Sequence, residues 1–109
     1  MRILFDNGTP RGLARYFAGH TVEEARARGW EELANGALIE AAEQAGFDLM
    51  VTTDKNIRYQ QNLAGRRLSL IVLEHSQWPM VKLVTARIVA AVDAAEPGSY
   101  CEVDVPFKD

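Results

Sequence analysis

Phe47-Asp48-Leu49-Met50-Val51-Thr52-Thr53-Asp54 is the stretch on which the fold turns. Residues 47–53 are almost continuously apolar or β-branched, and the run stops on a carboxylate. A strand with one wet face alternates polar and apolar residues. A run without alternation suits a strand covered on both faces, as in the middle of a parallel sheet. Gly46, just before it, carries the stop signal of a helix.

Reading upstream, Asn35 is the expected N-cap of a helix reaching about Ala45, with Leu38, Ala41, Ala42 and Ala45 on one face. Glu40 and Glu43 fall off that stripe and are expected to face solvent. Residues 26–32 are irregular, and His20-Thr21-Val22 is a short strand. Arg2-Ile3-Leu4-Phe5 is a second buried strand, stopped by Asp6-Asn7-Gly8. Thr9-Pro10 then reads as N-cap and first position of a helix. Its apolar face is Leu13, Tyr16 and Phe17, and Gly19 closes it.

Downstream, residues 55–62 read as a short polar helix stopped near Gly65, and Leu68 to Leu73 as a buried strand. Trp78-Pro79 opens a last helix with Met80, Val81, Val84, Ile88, Val89 and Val92 at helical spacing. Pro97-Gly98-Ser99 turns the chain into a final strand, Tyr100 to Val105. The result is β-α-β-α-β-α-β-α-β in one domain spanning residues 1–109. Such alternation predicts a mainly parallel sheet with helices on both faces and right-handed crossovers.

Bulk properties narrow the function. With 109 residues, 48% of them hydrophobic, the chain builds one core. A net charge of −3 argues against nonspecific coating of nucleic acid, though not against a local basic patch. The single cysteine, Cys101, excludes an intramolecular disulfide and fits a reducing compartment. Together with His20 and His75 it cannot supply four zinc ligands. Neither histidine is assigned a role, and Trp30 and Trp78 read as packing anchors. No apolar run approaches the roughly 20 residues of a membrane span. The start, Met1-Arg2-Ile3-Leu4-Phe5-Asp6, lacks a signal-peptide pattern, so the expected location is cytoplasmic.

Ligands of open α/β sheets bind outside the carboxyl ends of the strands. Asp6 follows the first strand and Asp54 the third. If those strands are neighbours, their carboxylates converge into a hard-oxygen pair suited to Mg²⁺ or Mn²⁺. An aspartate at such a junction also forms Asx turns or caps helices, so either acid alone is ambiguous. Asp48 lies six residues earlier on the same strand, roughly 20 Å away at about 3.3 Å per residue, and is structural. Lys55, Arg58, Tyr59, Arg66 and Arg67, interleaved with amides, form a candidate RNA-binding segment after Asp54. An ordinary polar helix followed by a basic turn has the same composition.

Ile3-Leu4-Phe5-Asp6-Asn7 before a Pro-initiated helix, followed in order by Val51-Thr52-Thr53-Asp54-Lys55-Asn56, resembles the PIN-like family. More narrowly it is similar to a short bacterial branch, the domain-of-unknown-function 5615 type, from residue 1 to about residue 73. The resemblance implies a PIN-like three-layer α/β/α sandwich and a Mg²⁺- or Mn²⁺-dependent ribonuclease, in many relatives the toxin of a toxin–antitoxin pair. It places family acids on Asp6 and Asp54, and further site positions on Asn35 and Asn56, where relatives usually carry acids. Asn7 stands where a Glu is common. With fewer carboxylates the metal is expected to bind weakly or to be absent, and Glu32 is the candidate substitute ligand. The expected partners are RNA and a cognate antitoxin, with a homodimer left open and no membrane. The alternative is a non-catalytic PIN-like module that binds RNA or a protein. A receiver-like reading ranks last, because paired acids near the chain start are lacking.

Overall fold

The computed structural model describes residues 1–57 and 63–106. Five strands form one sheet: β1 (Arg2–Phe5), β2 (Thr21–Glu24), β3 (Leu49–Thr52), β4 (Ser69–Leu73) and β5 (Tyr100–Val103). The order is β2-β1-β3-β4-β5 and every pairing is parallel. All residues of β3 and β4 are buried, as their continuous apolar character requires. The edge strands are more open and carry the polar residues, Glu23 and Glu24 in β2 and Glu102 in β5.

Alternate strand residues point to opposite faces, and each face has its own apolar cluster. Ile3, Phe5, Leu49, Val51, Ile71 and Leu73 pack with Leu13, Phe17, Val81, Ile88 and Val92. Leu4, Met50, Leu70 and Val72 pack on the other face with Ala25, Leu38, Ile39, Ala42, Phe47 and Ile57. The first face is covered by a 3₁₀ helix (Arg11–Tyr16) and by α2 (Trp78–Val81) and α3 (Thr85–Ala94). The second is covered by α1 (Asn35–Gln44) and the start of the segment after Asp54. Among the described residues no helix is long and apolar enough to cross a membrane.

This layering overturns the expectation of uniformly right-handed crossovers. The β1-to-β2 connection steps toward one edge over the first face. The β2-to-β3 and β3-to-β4 connections step the other way over the second face, so these three share one hand. The β4-to-β5 connection also steps that other way, yet passes over the first face. It therefore has the opposite hand, so the four connections cannot all share the right hand that about 98% of such connections adopt. The physical reason is coverage. With one hand throughout, three connections would crowd the second face and only one would shield the first.

The structure departs from the local expectations in three places. Thr9 does not cap a helix: its hydroxyl donates to the Val51 carbonyl (2.8 Å), and Pro10 is the N-cap of the 3₁₀ helix without a side-chain cap bond. Asn35 is the first residue of α1, preceded by Ala34 as N-cap, and its amide points elsewhere. The last helix is broken at Lys82–Val84 by a 3₁₀ turn, but both halves bury the same stripe, Val81, Val84, Ile88 and Val92. The Gly46 stop is realised in full. Gly46 has φ +84°, its N–H donates to Glu43 O (3.1 Å) and the Phe47 N–H to Ala42 O (3.0 Å). This is a Schellman closure, with Phe47 and Ala42 in the same apolar cluster.

Candidate functional site

The chain reverses its stepping direction between β1 and β3, which lie side by side with Phe5 opposite Val51. The C-terminal ends of two such strands border the crevice where ligands of open α/β sheets bind. Asp6 leaves the end of β1 and Asp54 stands two residues beyond β3, both half-buried. Two bonds fasten the first turn to β3 and a third closes the turn on itself. Asp6 N–H and the Thr9 hydroxyl both donate to Val51 O (3.0 and 2.8 Å), and Thr9 N–H closes the turn on Asp6 O (2.9 Å). Gly8 passes so close to Thr53 that a Cβ there would collide with the Thr53 hydroxyl.

Thr52 joins the two acids. Its side chain is fully buried, its hydroxyl donates to Asp6 Oδ2 (2.7 Å), and its oxygen accepts from the Asp54 N–H (3.1 Å). The second oxygen of Asp6 accepts from Asn7 N–H (2.7 Å). Asp54 Oδ1 accepts from Asn56 N–H (3.0 Å), and Asp54 Oδ2 accepts from the Asn35 amide. α1 runs against the strands, so its first residue is delivered to the same edge as the strand ends. Asn56 therefore contributes a backbone N–H to this network, and its side chain is exposed.

The remaining expected site residues are dispersed. Glu32 is exposed in the turn closed by Leu33 N–H on Trp30 O (3.0 Å). Among the described residues no three His, Cys, Asp or Glu side chains are grouped to hold a metal, so Glu32 does not complete the pair. Lys55 is exposed beside Asp54. Arg58 and Tyr59 lie outside the described residues. Arg66 and Arg67 immediately precede β4 and so stand at the opposite edge of the sheet from Asp6 and Asp54. The Arg66 guanidinium is held by Glu40 (2.7 Å) and Glu43 (2.8 Å), and Glu43 also accepts from Arg67 N–H (2.7 Å). Glu43 is thus pinned and not solvated as its place on the helix suggested. Among the described residues, Arg66 and Arg67 form no surface continuous with the acids.

Several residues at the site were not singled out from sequence. The sequence marks Thr52 only as part of a strand. Asn7 also anchors the loop before α1, its amide donating to Glu31 O (2.8 Å). At the ends of β4 and β5, the Asp104 carboxylate beside Glu74 pushes the Glu74 pKa above its ordinary value, with Lys55 opposing weakly. Residues that immediately follow apolar strands were the available signal, and Glu74 and Asp104 satisfy it as Asp6 does. Each of the five described strands ends on an acid or within two residues of one: Asp6, Glu24, Asp54, Glu74 and Asp104.

The donor set suits a small hard cation. Mg²⁺ is commonly held by one or two carboxylates and several waters. Asp6 and Asp54 are accessible, oxygen-bearing and prepositioned, and the Asn35 amide could offer its oxygen after rotating away from Asp54. No protein-family model, no curated protein and no solved structure matches the chain.

Proposed function

We propose that the protein is a divalent-metal-dependent ribonuclease of the PIN-like kind, with Asp6 and Asp54 as metal-holding residues. The supporting observation is the pair of strand-end carboxylates flanking the β1/β3 crevice and tied together through Thr52. A bound Mg²⁺ or Mn²⁺ would activate water and offset charge on the scissile phosphate. The protein's own part is to hold the acids in register. Thr52 fixes the rotamer of Asp6, and Asn56 N–H and the Asn35 amide fix that of Asp54. RNA as the polymer, a toxin role and a cognate antitoxin follow from the sequence resemblance.

One observation favours the alternative, a non-catalytic module. Both oxygens of Asp54 are already satisfied by neutral donors, so the pair is stable without a cation. Incubation of mixed RNA with wild type, Asp6→Asn and Asp54→Asn, each with Mn²⁺ or EDTA, separates the readings. The enzyme reading expects Mn²⁺-dependent cleavage that both substitutions reduce to background. Equal inactivity of all three proteins supports the binding module.

A further inference from the structure

A second feature of the acid-bearing edge is a cleft of about 370 Å³ at the ends of β1 and β2. This is at the small end of the roughly 300–1,000 Å³ of ligand sites. Phe5 and Val22 form its floor, and Phe5 is the residue directly before Asp6. Ala14 of the first 3₁₀ helix and Ala27 of a second (Ala25–Arg28) form its walls, so two methyl groups leave a slot between short helices.

The charges of the cleft are matched internally. Arg11 spans the mouth to Glu24 (3.3 Å). Glu23, level with Leu4 in β1, turns its carboxylate to the other face, where Arg28 (3.1 Å) and Arg2 (3.2 Å) engage it and hold its carboxyl below the ordinary glutamate pKa. A phosphate finds no unpaired cation inside, and a cationic side chain finds no unpaired carboxylate. The interior fits a flat, neutral group with an apolar face and polar edges. Arg11 is 80% exposed, so its pairing with Glu24 is weakly held. It is free to turn toward a phosphate at the mouth while Glu24 accepts from an N–H at the rim.

We infer that this cleft receives a nucleobase of the nucleic-acid strand whose phosphodiester is presented to Asp6 and Asp54. Unstacked bases of single-stranded RNA are read in such slots, by contact with the ring face and hydrogen bonds to its edge. The identity of the strand rests on the ribonuclease reading, but the slot's selectivity for a neutral base does not require cleavage.

The test is NMR titration of the wild-type protein with adenosine, guanosine, cytidine and uridine in EDTA, with ribose 5-phosphate as the comparison. At least one nucleoside should bind with millimolar or better affinity, shift resonances of Ala14, Val22, Glu24 and Ala27, and outcompete ribose 5-phosphate. Ala27→Trp should fill the slot and weaken that nucleoside at least tenfold. Ala14→Phe, on the opposite wall, serves the same purpose if Ala27→Trp does not fold. Absence of nucleoside binding to wild type, shifts confined elsewhere, or binding unaltered in a folded wall variant would overturn the inference. RNA cleavage without nucleoside binding retires the cleft alone. Nucleoside binding in the cleft without cleavage retires the enzyme and leaves the cleft standing.

Discussion

The Thr52 hydroxyl has its proton committed to Asp6 and its oxygen committed to the Asp54 N–H, inside a fully buried side chain. Thr52→Val keeps the shape and removes both bonds. Hydrogen bonds to charged groups contribute about 1.5–3 kcal/mol, and because Asp6 is half-exposed the loss should fall near the low end. Thermal melting should show it, with Mn²⁺ affinity falling in parallel, whereas Thr52→Ser should retain most of both. Asn35→Asp makes a different point. From sequence alone, a carboxylate at the start of a helix looks harmless, because the dipole favours it. The amide actually faces Asp54. Replacing a donor with a second anion should cost about 1 kcal/mol without metal, or roughly 4–8 °C in Tm for a domain of this size. Added Mn²⁺ should reverse the loss and raise Tm above that of wild type under the same conditions. An unchanged Tm in both conditions would show that residue 35 takes no part in a cation site. Asp6 and Asp54 were legible because a carboxylate stops an apolar run. Thr52 was not, because a β-branched residue in a buried strand looks the same whether its hydroxyl is idle or bonded.

Elements were legible where periodicity is strong. β3, β4, α1 and the stripe on α2 and α3 follow from their apolar patterns, as does the Gly46 stop. What failed was pairing between elements. The buried Thr9, the pinned Glu43 and the clamped Arg66 all depend on partners more than 20 residues away in sequence. The clamp ties α1 to the turn before β4 and carries a pH signature. Burial raises the Glu43 pKa, but hydrogen bonds from Arg66, Arg67 N–H and Leu68 N–H outweigh it and leave the folded value below the ordinary 4.5. A depressed carboxylate pKa stabilises the fold above the unfolded value and loses that contribution as pH falls through the folded one. Glu43→Gln should therefore be less stable than wild type at pH 7. The two should converge as pH drops from about 4.5 toward the folded value. Denaturant midpoints across that range would check it, and a constant difference at all pH values would refute the assignment.

At the scale of the whole molecule, one sheet edge collects an acid from every strand, and the net charge is −3. A polyanion approaching that edge is repelled unless a cation intervenes. Metal and RNA binding should therefore be positively coupled, each tightening the other by the same factor. A non-hydrolysable RNA analogue with wild type is the appropriate probe, with and without Mn²⁺. Affinity that is equal in both conditions would place the RNA away from the acids.

The reversed fourth connection also orders events in time. The second face is assembled almost wholly from residues between Leu4 and Val72, whereas the first face needs Val81, Ile88, Val92 and Val103 to be covered. During synthesis one side of the sheet is complete while the other, covered only by Leu13 and Phe17 near β1, still shows Leu49, Val51, Ile71 and Leu73 to solvent. At about 5–20 residues per second, the 32 residues from 74 to 105 leave that part of the face bare for roughly 2–6 s. A fragment ending at Glu74 should hold α1 against the sheet yet bind a hydrophobic dye and self-associate, and the chain through residue 105 should do neither. The nascent protein is thus a sheet with one face still awaiting its cover, and the interval in which a chaperone would matter is written into the path of one crossover.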